Sequence, residues 1–73
     1  MENKLPSGVF YHEKMDWAER FFFDGPDAEL KAYKLAYAYR NSQFGVEVKA
    51  SGNNWIVNVL TEIGKTMRQH DIK

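Results

Sequence analysis

The absence of cysteine is the feature that most constrains what this 73-residue chain can fold into. A domain of this size buries a limited share of its surface, and its core rarely supplies more than about 3–5 kcal/mol without disulfides, metals or similar cross-links. Large rings are an alternative source of stability, because each can bury roughly 150–250 Å². The chain contains five Phe, four Tyr and two Trp, or 15% aromatic residues. We therefore expect one domain with an aromatic core.

The charge balance argues against several classes of protein. Ten Lys and Arg residues match ten Asp and Glu residues, so the formal net charge is zero. A dedicated nucleic-acid-binding domain usually carries a basic excess, since each phosphate contact needs a cation. The start of the chain lacks an apolar run of signal-peptide length, and no stretch approaches the ~18 apolar residues of a membrane span. We expect a cytoplasmic protein without a membrane segment that binds nucleic acid only weakly, if at all.

The first third of the chain combines an arm with an ambiguous segment. Residues 1–8 are expected to form a flexible arm, because Pro6 disfavours helix before it and Gly8 loosens the backbone. Residues 9–23 fit a strand template at period two and a helix template at period 3.6. We favour a hairpin, because a sheet made only from a later hairpin would be marginal, but the helix remains an open alternative.

The middle of the chain contains clearer signals. Pro26 suits the first turn of a helix, and the residues that follow predict a helix over approximately Asp27–Arg40. The alternating segment Phe44–Lys49 and the β-branched segment Trp55–Leu60 flank a turn cluster and predict a second hairpin. Candidate core residues in this part are Leu35, Val46, Val48, Ile56 and Val59.

These parts predict an α+β fold in which a small antiparallel sheet of two hairpins packs against one helix, in the order ββαββ. The domain would span residues 9–60. Residues 61–73 show weak periodicity and are locally basic, and we expect a frayed helical turn or a mobile tail there.

The predicted helix has more apolar surface than one contact needs. One stripe is expected to face the sheet, because its small residues allow close packing: Ala28, Ala32, Leu35 and Tyr39. A second stripe would stay partly exposed: Leu30, Tyr33 and Tyr37, beside Lys34 and Arg40. Tyr and Arg are enriched at interface anchors. A small domain also exposes some rings because it lacks interior to hide them, and both interpretations remain open.

The polar residues form no catalytic constellation at a recognisable spacing. His12-Glu13 and His70-Asp71 supply too few ligands for a zinc site, and Glu47 stands alone on its strand. The glycines are scattered and form no phosphate-binding loop. We expect no enzyme activity, no metal and no cofactor.

The order of elements, from an aromatic hairpin between Val9 and Phe23 through the helix Asp27–Arg40 to the strand Phe44–Lys49, resembles that of small phage-encoded proteins that disable host machinery. It is most similar to short transcription inhibitors that grip bacterial RNA polymerase. It is also similar in size to anti-CRISPR proteins. The resemblance covers residues 9–60 and rests on order and length. The chain departs from many such inhibitors in its lack of strong acidity and its basic tail.

Together these observations predict a monomeric, non-catalytic regulator that inhibits or redirects a host enzyme by occupying its surface, with bacterial RNA polymerase as the leading target. The alternatives are an anti-CRISPR-like inhibitor of a defence complex and a nucleic-acid-binding regulator that stacks bases on the helix tyrosines. The predicted partner-binding residues come from the arm, the helix and the tail: Lys4, Leu30, Tyr33, Lys34, Tyr37, Arg40, Lys65 and Arg68.

Overall fold

The computed structural model describes the backbone of residues 8–71 and the side chains of residues 8–69. Four strands and two helices follow one another: β1 (Val9–Lys14), β2 (Ala18–Phe23), α1 (Ala28–Ala38), β3 (Val46–Ser51), β4 (Asn54–Leu60) and α2 (Glu62–Asp71). The strands form one antiparallel sheet in the order β1-β2-β4-β3. The central strands are therefore β2 and β4, and the edges are β1 and β3.

The predicted α+β class and both predicted hairpins are confirmed, including the hairpin over residues 9–23. The predicted single helix and the order ββαββ are wrong, because the ten residues of α2 extend the order to ββαββα. This helix occupies most of the segment for which a frayed turn or mobile tail is predicted. Residues 1–7 of the predicted arm lie outside the described residues.

Strand alternation gives the sheet two unlike faces. Successive side chains of a strand point to opposite sides, so Phe21 and Phe23 of β2 lie on one side and Arg20 and Phe22 on the other. We call the first side the α1 face, since α1 packs over Phe21 and Phe23. The second side is the α2 face.

The α1 face contains the main core. Fully or nearly fully buried rings and methyl groups meet there: Phe21, Phe23, Ala28, Ala32, Ala36 and Val57. Three buried helix alanines bring α1 close to the sheet. Ala28 and Ala32 belong to the predicted inward stripe, Ala36 does not, and Leu35 and Tyr39 of that stripe are partly buried. Partly buried residues surround this core, among them the predicted Leu35, Val46, Val48 and Val59. Ile56 is also buried, but its place beside Phe22 in the strand register puts it on the α2 face.

The second helix begins at a threonine cap. Thr61 Oγ1 accepts a hydrogen bond from the Gly64 N–H at 3.2 Å, which satisfies one of the unpaired donors of the first turn. The same hydroxyl donates to the Asp16 carbonyl at 2.7 Å, and the Thr61 N–H donates to the Trp17 carbonyl at 3.0 Å. Gly64 itself is buried against that carbonyl, where a Cβ would overlap it. The cap therefore fixes α2 to the loop between β1 and β2.

Candidate functional site

The outer side of α1 carries the largest exposed apolar residues of the helix. Leu30 is 61% exposed, Tyr33 51% and Tyr37 65%. They lie opposite the three buried alanines of α1, so a rigid helix presents them to solvent. We call Leu30, Tyr33 and Tyr37 the tyrosine face. The predicted exposure of this second stripe is confirmed, because the sheet needs only the alanine side of the helix.

A cation orders one end of the tyrosine face. The guanidinium of Arg40 lies 3.9 Å from the centroid of the Tyr37 ring. Its Nη1 also donates to the Tyr37 carbonyl at 2.9 Å, near the end of α1 where the helix dipole favours positive charge. Exposed cation–π contacts of this kind contribute about 0.5–1 kcal/mol. Tyr37 and Arg40 are therefore held together, with Lys34 exposed nearby on the same helix.

The tyrosine face continues onto the sheet through Trp55. The rings of Tyr33 and Trp55 lie 5.9 Å apart at an interplanar angle of 55°. Trp55 is partly buried on β4 and pairs with the exposed Ala50 of β3. The sequence predicts Trp55 in a strand but not in the site, because only the fold brings it beside Tyr33, which lies 22 positions earlier.

The other predicted binding residues do not join this surface. Lys65 and Arg68 lie on α2, and Arg68 reaches Glu47, whose strand position is on the α2 face. The sheet therefore separates them from the tyrosine face. Lys4 lies outside the described residues. The structure brings together Leu30, Tyr33, Lys34, Tyr37 and Arg40.

A row of polar side chains crosses the α2 face. Glu13, Arg20, Asn58 and Glu47 occupy opposed positions on the four neighbouring strands, and we call them the polar row. Arg20 donates to Glu13 Oε2 at 3.1 Å and to Asn58 Oδ1 at 3.1 Å. Asn58 is fully buried and donates to Glu47 Oε1 at 3.3 Å. Hydrogen bonding on both sides offsets the cost of burying this amide.

The polar row ends at α2. Arg68 donates to the two oxygens of Glu47 at 2.5 and 2.9 Å. These bonds stabilise the charged carboxylate and are the main reason that the pKa of Glu47 lies below its ordinary value. Partial burial acts in the opposite direction and raises the pKa, but it does not reverse the shift. Glu47 is the single carboxylate of β3, as the sequence indicates, and its partner Arg68 lies 21 positions later on α2.

Trp17 joins the two arginines of this face. The Arg20 guanidinium lies 5.3 Å from its ring centroid and the Arg68 guanidinium 5.2 Å. Both cations thus have a carboxylate partner and an aromatic partner. Both guanidinium groups are therefore engaged within the fold.

The His12 side chain contacts two neighbouring side chains of β2. Its Nε2 lies 2.7 Å from Glu19 Oε2, and its ring stacks on Phe21 at 4.6 Å. Within the described part of the chain, no group of three or more His, Cys, Asp or Glu residues could hold a metal ion. The side chains of His70 and Asp71 lie outside the description. Over the same residues, neither helix has the length and apolar character needed to cross a membrane.

Comparison with models of protein families, with curated proteins and with solved structures finds no match to this chain. The function of this chain is therefore inferred from the tyrosine face and the polar row.

Proposed function

We propose that this protein is a non-catalytic binding module whose tyrosine face docks on the surface of a larger protein. The observation that carries the proposal is that Leu30, Tyr33 and Tyr37 are each more than half exposed while the opposite side of the same helix is closely packed. Aromatic residues on a rigid element lose little conformational freedom on binding, and they are frequent energetic anchors of interfaces.

The charges around the tyrosine face indicate the chemistry of the partner. Lys34 and Arg40 flank the rings, whereas Glu29 lies in the first turn of α1. An apolar pocket with acidic groups at its rim complements this pattern. A protein partner is favoured over a nucleic acid because the chain has no basic excess and the arginines of the α2 face are ion-paired.

The mechanism that follows is stoichiometric: the bound domain occupies a surface of the target and blocks access by other molecules. Bacterial RNA polymerase is the first target to test, on the resemblance of element order alone. A defence complex, as in anti-CRISPR inhibition, is the second. In either case the tyrosine face supplies the anchors, and the target supplies the reaction that is inhibited.

The test is binding of purified bacterial RNA polymerase, with inhibition of transcription as the second readout. The variant Tyr33→Ala/Tyr37→Ala should bind at least about 30-fold more weakly, equivalent to more than about 2 kcal/mol. The matched control is Tyr11→Ala, since Tyr11 is 50% exposed but lies on the α2 face. It should bind like the parent. Thermal melts should show that both variants fold.

Three results would count against this proposal in different ways. Absence of polymerase binding by the parent chain removes that target, and the same three proteins then serve as baits against a defence complex. Equal target binding by the parent and the folded double variant removes the tyrosine face as the site. A double variant that unfolds would show that Tyr33 or Tyr37 contributes to the core.

A further inference from the structure

The two edges of the sheet differ in how readily they can accept another strand. The register of β1 shifts between Val9 and Tyr11, and such irregularities blunt an edge. The other edge, β3, pairs with β4 in unbroken register from Val46 to Ser51. It contains no proline. β3 is therefore the edge suited to further pairing.

The hydrogen-bond pattern shows which groups of β3 face outward. The Leu60 N–H donates to the Gly45 carbonyl at 2.9 Å, so Gly45 is a hydrogen-bonded position. Such positions alternate along an antiparallel strand, so the backbone groups of Glu47 and Lys49 also point toward β4. The backbone groups of Val46, Val48 and Ala50 consequently point away from the sheet. Among residues 8–71, the structure shows no hydrogen bond to these outward groups.

We infer that β3 pairs with β3 of a second copy of this chain, in antiparallel orientation about a twofold axis at Val48. This dimer extends the four-stranded sheet to eight strands. Val48 lies opposite Val48 of the other copy. Val46 of each copy lies opposite Ala50 of the other. The outward N–H and carbonyl groups of these three residues then all find partners across the axis.

Charge selects this register over its neighbours. A twofold axis perpendicular to the sheet keeps each side chain on its own face of the sheet. The possible registers therefore differ by a slide of two residues between the paired strands. Centring the axis on Glu47 or on Lys49 places like charges directly opposite each other, which is destabilising. Centring it on Val48 instead places Glu47 of each copy opposite Lys49 of the other. The alternation Glu47-Val48-Lys49 is thus self-complementary in one register.

Helix α1 leaves space for this arrangement. α1 contacts β4 more extensively than β3, so its axis lies one strand inside the edge. Three strand spacings then separate the two copies of α1, or about 14 Å, whereas packed helices need 8–10 Å. The zero net charge of the chain also adds no long-range repulsion between copies. The tyrosine faces of both copies would lie on the same side of the extended sheet. In this proposal the chain is a dimer, whereas the sequence predicts a monomer.

Sedimentation equilibrium of the full chain tests the dimer directly. Between about 1 µM and about 1 mM protein, the average mass should rise from 8.5 kDa toward twice that value. Over the same range, amide exchange of Val46, Val48 and Ala50 should slow at least tenfold. The amides of Glu47 and Lys49 already bond to β4 and serve as the internal control. A constant mass of 8.5 kDa up to 1 mM, or unchanged exchange at the three outward amides, would overturn the proposal.

The variant Lys49→Glu tests the register. In the dimer, the new carboxylate at position 49 of each copy lies opposite Glu47 of the other copy. This like-charge contact occurs twice, once on each side of the axis, and should weaken the dimer at least tenfold. Lys14→Glu makes the same charge change on the opposite edge strand and should leave the dimer intact. If Lys49→Glu dimerises as well as the parent, the proposed register is wrong. If Lys14→Glu alone abolishes the dimer, the contact is at β1 and not at β3.

Discussion

The two helices cover opposite faces of one sheet by different physical means. α1 buries Ala28, Ala32 and Ala36, so that helix and sheet meet through small apolar groups over three strands. α2 is attached through the close approach of Gly64 to the Trp17 carbonyl in the loop between β1 and β2, and through the ion pair from Arg68 to Glu47 of β3. Apolar burial grows with area, whereas a close approach and an ion pair each depend on a few atoms.

The outward sides of the helices differ as well. α1 exposes the tyrosine face, which is broad and continues to Trp55. α2 exposes Ile63 (53%) and Met67 (44%) on an otherwise polar helix. We conclude that α1 covers the main core and also carries the candidate interface. The smaller contact area of α2 indicates a locally attached element that can separate without loss of the core.

The adjacent residues Phe23 and Phe22 provide the strongest test of this difference. Phe23 is 1% exposed on the α1 face, and Phe23→Ala should cost about 3–5 kcal/mol, enough to unfold a domain of this size. Phe22 is half-buried on the α2 face, and Phe22→Ala should cost less than half as much. Urea denaturation measures both. Equal losses would show that the two faces contribute equally to stability.

Gly64 tests how α2 is attached. On an exposed helix, replacing glycine by alanine stabilises by roughly 0.5–1 kcal/mol. Here the added Cβ would overlap the Trp17 carbonyl, so Gly64→Ala should instead destabilise by about 1–3 kcal/mol. Amide exchange should become faster in α2 but not in α1. The control Thr66→Ala lies on an exposed position of α2 and should have little effect. Stabilisation by Gly64→Ala would contradict the close approach.

These contacts also explain why α1 could be predicted from the sequence and α2 could not. The start of α1 and its two stripes depend on neighbours within four positions, and periodicity alone separates Ala32 from Tyr33. The side of α2 that faces the sheet contains Gly64 and Arg68, while its apolar residues point outward. The apolar pair at helical spacing, Ile63 and Met67, is about half exposed and does not mark the side that faces the sheet. The one local signal is Thr61 as a helix cap.

Long-range pairing accounts for the rest of what the sequence did not show. The strand order requires β2 to pair with β4, and a hairpin pattern contains no information about that partner. The same pairing places Arg20 beside Asn58 and so creates the polar row. In the candidate site, the exposed stripe could be predicted because it belongs to one helix. Its extension to Trp55 depends on how the helix lies across the sheet.

The smallest predicted effect is the pH dependence that Glu47 gives to the attachment of α2. The hydrogen bonds from Arg68 hold the pKa of Glu47 below its ordinary value of 4.5, so the folded state favours the charged carboxylate. This stabilisation is present above pH 4.5 and is lost as the pH falls through the lower pKa of the folded state. Because both side chains are close to a third exposed, the pair should contribute only about 1 kcal/mol.

The variant Glu47→Gln measures this contribution. At neutral pH and low protein concentration, it should lower stability by about 1 kcal/mol in urea denaturation. The difference from the parent should shrink as the pH falls below 4.5, because protonation removes the charge from the parent as well. Asp24→Asn is the control, since among the described residues the Asp24 carboxylate makes no hydrogen bond or ion pair. A loss that stays constant down to the acid transition would show that the Glu47 charge does not hold α2.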